Sequence, residues 1–462
     1  MKPFGTGPLG FLGTGSYRKK VSLSGFLKVA QRGLVLPTFS ALLFLLGFLS
    51  NIAGGLIAPN YASGGTPPVS YKQAPGVIDT RTTFSDGAYD PETLVRMALG
   101  RGIKILFLND HDRMAMEYGI FPFRSIIKKR VELNSINKMG ADRYLAEVKR
   151  IREKYPGMVV IPGAESAPFY YWTGNPLKGN LTAHDHERRI LTVGLEKAED
   201  YKTIPLFDPY HGPQGATPYQ HFIDEVNEKG GLTFWNYPET RSGVRKMGPI
   251  YVNTPPYSHM LLETYNYTGF AALYGENITA TEPGGLWDKA LAEYCRGFRR
   301  SPPWGIATSD YHEEGESGQK LGDFQTVFLL LEHSHAAVLD ALKKGRIYAR
   351  RGKFTRMPSL DEFTVSDSAV GVVHTAVYGE TITVKGNPRI RIAVSGRTDS
   401  PGTVRVRLIR SGELIEVFSG KLPLAIDYID RLVKPGRKIY YRVDMKGAGT
   451  IVSNPIFVRV KR

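Results

Sequence analysis

Six places in this 462-residue chain set acids, imidazoles or amides directly beside a short apolar run. Asp79, Arg81, Ser85 and Asp86 follow Val77-Ile78, and Asn109, Asp110, His111 and Asp112 follow residues 103–108. Glu165 closes Gly163-Ala164-Glu165 after residues 158–161, and His184, Asp185, His186 and Arg189 precede residues 190–195. Asn236 and Tyr237 follow residues 232–235, and Asp310 and His312 follow residues 305–308. Taken singly each has an ordinary explanation, since an aspartate after a strand often caps a helix. Taken together they bring oxygen and nitrogen donors to one place from at least four segments. Carboxylates and imidazoles without thiolates suit Zn²⁺, Mn²⁺ or Fe²⁺. Such ions acidify water and neutralise charge on a phosphoryl or acyl oxygen, so the expected chemistry is hydrolysis of an ester.

The elements that must hold these groups alternate between strand and helix. Asp90-Pro91-Glu92 reads as a helix start, with Asp90 as N-cap and Pro91 at the first helical position. Further helices are expected over 141–154, 218–229 and 286–299, each leading to a short apolar strand. Repeated strand–helix units imply a mostly parallel sheet, open or closed as a barrel, and barrels keep their chemistry at the C-terminal strand ends. From about residue 358 the helical pattern gives way to alternating apolar and polar residues. Segments 389–395, 404–410, 414–418, 438–445 and 451–460 read as an antiparallel β-sandwich.

Charge and hydropathy organise the remainder. Over a third of the net charge of +16 lies at the start, where residues 1–33 hold six basic and no acidic side chains, and the remainder is moderately basic. The excess calls for an anionic substrate or an anionic surface, and no basic–aromatic patch or zinc finger points to nucleic acid as a partner, except as a substrate. Cys295 stands alone, which excludes an intramolecular disulfide and a multi-cysteine zinc site. Residues 34–58 contain no charge and match the length needed to cross a bilayer. With the basic segment before them, they are expected to anchor the chain in the cell membrane, N-terminus inside and the rest extracytoplasmic, or secreted if cleaved as a signal. The expected divisions are a basic cytoplasmic segment (1–33), the anchor (34–58), a linker (59–75), a catalytic domain (76–357) and the sandwich (358–462).

The run from Asp79 to Gly87, the following PETLVRMALGRGIKILFLNDHD, GAE around Glu165 and SDYH at 309–312 together resemble the polymerase-and-histidinol-phosphatase (PHP) superfamily. The first matches its H-x-H-T-x-x-S-D-G loop. Tyr440-Tyr441-Arg442-Val443 and Ser453-Asn454-Pro455-Ile456-Phe457-Val458 look like the C-terminal module of CehA/McbA-type exported metallohydrolases. The resemblance implies a distorted (β/α)7 barrel carrying divalent metals, here one or two. It implies Asp86, His111 and His312 as one complete ligand set, with Glu165 and Asp310 as neighbouring carboxylates. The family's H-x-H pair is replaced by Asp79 and Arg81, and two further expected histidines by Arg189 and Tyr237. Asp79 can still ligate, and His186 (or His184) is placed to substitute, but a guanidinium cannot. Arg81 and Arg189 are then expected to supply fixed positive charge for an anionic group, Arg81 stabilising the transition state. The expected function is a metal-dependent phosphoesterase, or a carboxylic or carbamic esterase. An exonuclease-like phosphodiesterase and a catalytically silent binding module are the alternatives.

Overall fold

A computed structural model describes residues 70–202, 209–240, 243–275, 278–369, 374–396 and 403–461. The expected basic segment, the membrane segment and the linker up to residue 69 lie outside the described residues. Among the described residues no helix is long and apolar enough to cross a membrane. Residues 68–462 form one compact unit.

Seven strands lie side by side in chain order: Lys72–Thr80, Ile105–Leu108, Val159–Ser166, Arg189–Val193, Leu232–Asn236, Gly269–Leu273 and Trp304–Ala307. Ser309 N donates to Ile78 O (3.0 Å), Tyr311 N to Asp79 O (3.1 Å) and Arg81 N to Tyr311 O (2.9 Å), which joins the last strand's exit to the first strand. The sheet therefore curls back on itself. Its strands are apolar on both faces because both are covered. Ile105 and Phe107 pack with Ile161, Leu191 and Phe234 of neighbouring strands. Leu106 and Leu108 pack outward onto Leu94, Val95, Tyr144 and Val148. Those four come from the helices Pro91–Gly100 and Ala141–Lys154. The first helix starts as its sequence dictates, with the Asp90 carboxylate accepting from Thr93 N at 3.0 Å.

Two expectations need correction. The first strand begins at Lys72, inside the expected linker, because Lys72–Gly76 pairs antiparallel with Thr326–Leu330. Its polar start and Pro75-Gly76 hide it, yet Gly76 is suited to the place, since a β-carbon would fall 2.8 Å from the Phe328 ring. The sheet is mostly parallel, with one exception. Strand Arg189–Val193 runs antiparallel to both neighbours. No helical crossover separates it from Val159–Ser166. The chain instead makes an excursion through Tyr171–Thr173 and Thr182–His184, which join a four-stranded side sheet with Gly243–Met247 and Ile250–Thr254. A connection of that kind returns the chain in the opposite direction. Last, the expected strand 451–460 is two strands, Gly449–Ser453 and Ile456–Val460, parted at Asn454-Pro455, where proline has no N–H to give the ladder.

The C-terminal region is a sandwich of two layers. One contains Thr375–Val377, Ser359–Asp367, Pro388–Ser395 and Leu424–Ile429 in spatial order. The other continues the barrel sheet through Phe324–Leu330 and Ile347–Arg351 onto Gly449–Ser453, so hydrogen bonding runs unbroken from barrel to sandwich. Arg442 and Asp288 form a buried bidentate pair (2.8 and 2.6 Å) between the two, and Tyr440 donates to the same carboxylate at 2.8 Å. Asn454 bonds both backbone groups of Gly305, at 2.8 and 3.0 Å. Residues 440–443 and 453–455 thus couple the two halves.

Candidate active site

The loop from Asp79 to Gly87 is built around a buried aspartate. Asp110 accepts from Thr82 N (2.7 Å), Thr82 Oγ1 (2.8 Å) and Ser85 Oγ (2.6 Å), three donors that draw the loop over the strand end. Burial raises the Asp110 carboxyl above its ordinary range despite these bonds. Gly87 turns the chain back so tightly that a β-carbon there would overlap the Arg81 carbonyl. Asp79, next to last in its strand, and Tyr237 and Asp310, shortly past theirs, all sit at positive φ (74°, 45° and 47°). Such backbone costs roughly 1–3 kcal/mol apiece and persists where the surroundings over-determine it.

Within that frame the acids and cations alternate. Arg81 is completely enclosed. Its Nη1 donates to Asp79 Oδ1 (2.5 Å) and to the Asn109 carbonyl, while Nη2 reaches Glu165 Oε2 (2.8 Å) and Asp310 Oδ1 (3.4 Å). Arg189 Nη1 pairs with Glu165 Oε2 and lies 3.0 Å from His111 Nδ1. Burial would lift the Glu165 carboxyl, but Arg189 and Arg81 hold it down at about 2. Asn236 spans the acids, donating to Asp79 Oδ2 (3.0 Å) and Glu165 Oε1 (2.8 Å). The Tyr237 hydroxyl donates to Asp79 Oδ2, and burial beside Asp310 and Asp79 raises it well above the normal phenol range. Asp310 remains partly open to solvent; burial, with Asp79 close by, pushes it up to about 6.

Next to this network stand two imidazoles about one carboxylate. Asp86 Oδ2 lies 3.4 Å from His111 Nε2 and 3.4 Å from His312 Nε2. The Asp310 carbonyl lies 2.9 Å from His312 Nδ1, whereas His111 has Glu165 Oε2 at 3.3 Å from Nδ1 and Arg189 Nη1 at 3.0 Å from Nδ1 and 3.2 Å from Nε2. Burial opposes both charges here, but the imidazole contacts hold the Asp86 carboxyl far below its usual range, and Asp86 and Asp310 raise His312 to about 9. Burial and the Arg189 charge lower His111.

Of the ten site residues expected from sequence, the structure brings nine together: Asp79, Arg81, Asp86, His111, Glu165, Arg189, Tyr237, Asp310 and His312. The tenth, His186, meets Thr254 Oγ1 and Glu187 at 3.5 Å each, on the side-sheet excursion, where burial lowers it to about 4. His184 stacks on Tyr171 and bonds Thr173 Oγ1 (2.7 Å) in the same excursion. Neither rebuilds a second ligand set. The role expected of Arg81 also changes, because a guanidinium with no exposed surface and its donors on internal acids balances charge and does not reach a substrate. Sequence reading gave no role to Asn109, Asp110 or Asn236. Their position at a strand end or within two residues of it was the available signal.

Metal fit follows from the donors. Asp79, Glu165 and Asp310 already face the guanidinium of Arg81, and Glu165 also that of Arg189, so those positions do not fit a cation. Among the described residues no group of three or more His, Cys, Asp or Glu stands in an arrangement that could hold a metal ion. Asp86, His111 and His312 nonetheless have the right chemistry for one. Ligands at 2.0–2.1 Å from a tetrahedral ion stand about 3.3 Å apart, close to the two 3.4 Å separations. At His312 the Asp310 carbonyl on Nδ1 leaves Nε2 for an ion, the ordinary support of a ligating histidine, while at His111 the Arg189 guanidinium would have to give way.

No protein-family model and no curated protein matches this chain. Among solved structures it is similar to a two-domain protein from Bacteroides vulgatus containing a predicted PHP-like metal-dependent phosphoesterase. Identity is 14%, with 80% of this chain and 90% of that one covered, at a TM-score of 0.37. It is also similar to a Bifidobacterium adolescentis protein described, by inference, as a metal-dependent phosphoesterase. There the identity is 13%, covering 53% of this chain and 90% of that one, at a TM-score of 0.28. Likeness of this order decides nothing about the chemistry of this chain.

Proposed function

We propose that the barrel is a PHP-type hydrolase domain that uses a single divalent ion, held by Asp86, His111 and His312, to cleave a phosphoester. Arg81 and Arg189 take the place of further cations. The observation that carries this reading is the imidazole pair, His111 and His312, each with its Nε2 3.4 Å from the same Asp86 oxygen. The bound ion would supply an acidified water and a counter-charge for the substrate oxygens. Arg189 keeps 18% of its side chain in solvent and adjoins His111, so it is the group placed to grip a substrate oxyanion. Asn236 and Tyr237 hold Asp79, and through it Arg81, in place. A carboxylic or carbamic ester is the lesser substrate class.

A second reading, a metal-free binding module, is favoured by one observation: Arg81 and Arg189 neutralise Glu165 without any ion. Hydrolysis of phosphomonoester and phosphodiester model substrates by residues 68–462, with Mn²⁺ or Zn²⁺ added, separates the two. Turnover that disappears in His111→Ala supports the hydrolase; ligand binding without turnover, unchanged in that variant, supports the module. On the sequence of residues 1–58 alone, we also propose that the domain is exported and anchored. Protease accessibility on intact cells tests that.

A further inference from the structure

Four residues after His111 the chain leaves the barrel as a hairpin, Ala115–Gly119 paired with Lys128–Glu132. Its tip carries an unusual load of uncovered apolar surface. Phe121 is 75% exposed, Ile126 79% and Phe123 54%, with Ile120 and Ile127 near half. Soluble surfaces rarely leave such a cluster without something that covers it. The tip is held in place from below. Glu117 N donates to the Tyr170 hydroxyl (3.0 Å) and Gly119 N to the Tyr210 hydroxyl (2.5 Å). Tyr118 packs edge-on against Trp172 at 5.3 Å, and the Arg124 guanidinium lies over the Tyr210 ring at 4.1 Å. Within the tip, Ile120 N and Ile127 N bond Ile127 O (2.9 Å) and Phe123 O (2.7 Å).

Charge around the tip selects the occupant. Arg124, Lys128, Lys129 and Arg130 flank it against Glu117 and Glu132, a net charge of +2 over residues 115–132. A narrow, protruding apolar tip with a basic shoulder fits a bilayer boundary, where acyl chains receive the first and anionic headgroups the second. The uncharged run at residues 34–58 of the same chain makes a lipid surface the occupant to commit to. We propose that residues 120–127 insert into the headgroup–acyl boundary of an anionic membrane. The inference is independent of the chemistry assigned to the barrel mouth.

Sedimentation of residues 68–462 with vesicles of equal parts phosphatidylcholine and phosphatidylglycerol tests it without the N-terminal run. The fragment is expected to pellet with these vesicles, and Phe121→Ser/Ile126→Ser to bind at least about tenfold more weakly. Lys129→Glu should weaken binding at low salt and matter less as salt rises. The substituted side chains are exposed, so circular dichroism and metal content should stay as in the unaltered fragment. A fragment that remains in the supernatant, or a double variant that binds as tightly as the original, overturns the proposal. So does concentration-dependent self-association that vanishes in the double variant, which would make a second copy of the chain the partner.

Discussion

Arg81→Met removes the central guanidinium while keeping much of its length. Four contacts go with it: Asp79 at 2.5 Å, the Asn109 carbonyl, Glu165 at 2.8 Å and Asp310 at 3.4 Å. The loss is unequal. Asp310 is partly open to solvent, Glu165 retains Arg189 and Asn236, and Asp79 retains only the neutral donors Asn236 and Tyr237. Removing one member of a buried ion pair costs about 3–5 kcal/mol, and the donors that remain place this variant near the lower end, about 3 kcal/mol. Without Arg81 the folded-state affinity of Glu165 for protons rises, since Arg81 is one of the two guanidiniums that hold its carboxyl down. The deficit against the unaltered chain should therefore be largest near neutral pH and shrink toward pH 4. Urea denaturation followed by the buried Trp235 and Trp287 at both pH values gives the numbers. Arg81→Ala, which vacates more space among the three acids, should gain stability on addition of Mn²⁺ beyond any gain of the unaltered chain, about 2.7 kcal/mol at a hundredfold excess over Kd. A variant within about 1 kcal/mol of the original at neutral pH, or a deficit that ignores pH, would refute the reasoning.

Two further outcomes follow from buried ion pairs. Glu165 is held at about 2 in the folded chain against an ordinary 4.5, a depressed value whose stabilising contribution is present above about pH 4.5 and lost as pH falls toward 2. That difference amounts to roughly 3 kcal/mol, so Glu165→Gln should flatten the acid limb of the stability profile. At the barrel–sandwich junction, Arg442→Met strands the buried Asp288 carboxylate and should cost about 3–5 kcal/mol, while the double change with Asp288→Leu should recover most of it. Denaturation of the two variants side by side decides this.

Much of the site was legible because its residues announce themselves at strand ends. Asp79, Asp86, His111, Glu165, Asp310 and His312 follow apolar runs whose burial on both faces gives them a strong local signature. Helix Ala141–Lys154 was placed to the residue because Tyr144, Val148 and Ile151 recur at helical spacing. The sandwich strands were visible for a parallel reason, alternation of period two. The missed features depend on partners distant in sequence. Lys72–Thr80 is a strand because of Phe324–Leu330, some 250 residues away. The reversal of Arg189–Val193 brings the start of that strand, with Arg189, to the mouth, and nothing in its own residues encodes the direction. Whether Arg81 faces substrate or acids depends on how Asp79, Glu165 and Asp310 close around it. The hairpin tip at 120–127 has the composition of a buried segment, and only the fold reveals its exposure.

Metal content per chain of residues 68–462 tests the central claim most directly. After reconstitution with Zn²⁺ or Mn²⁺, the account predicts one equivalent, lost in His111→Ala and in His312→Ala while both variants remain folded. Two or more equivalents in the unaltered chain would mean that Arg81 and Arg189 do not stand in for cations. None at all would contradict a metal at Asp86, His111 and His312 and leave the binding module in its place.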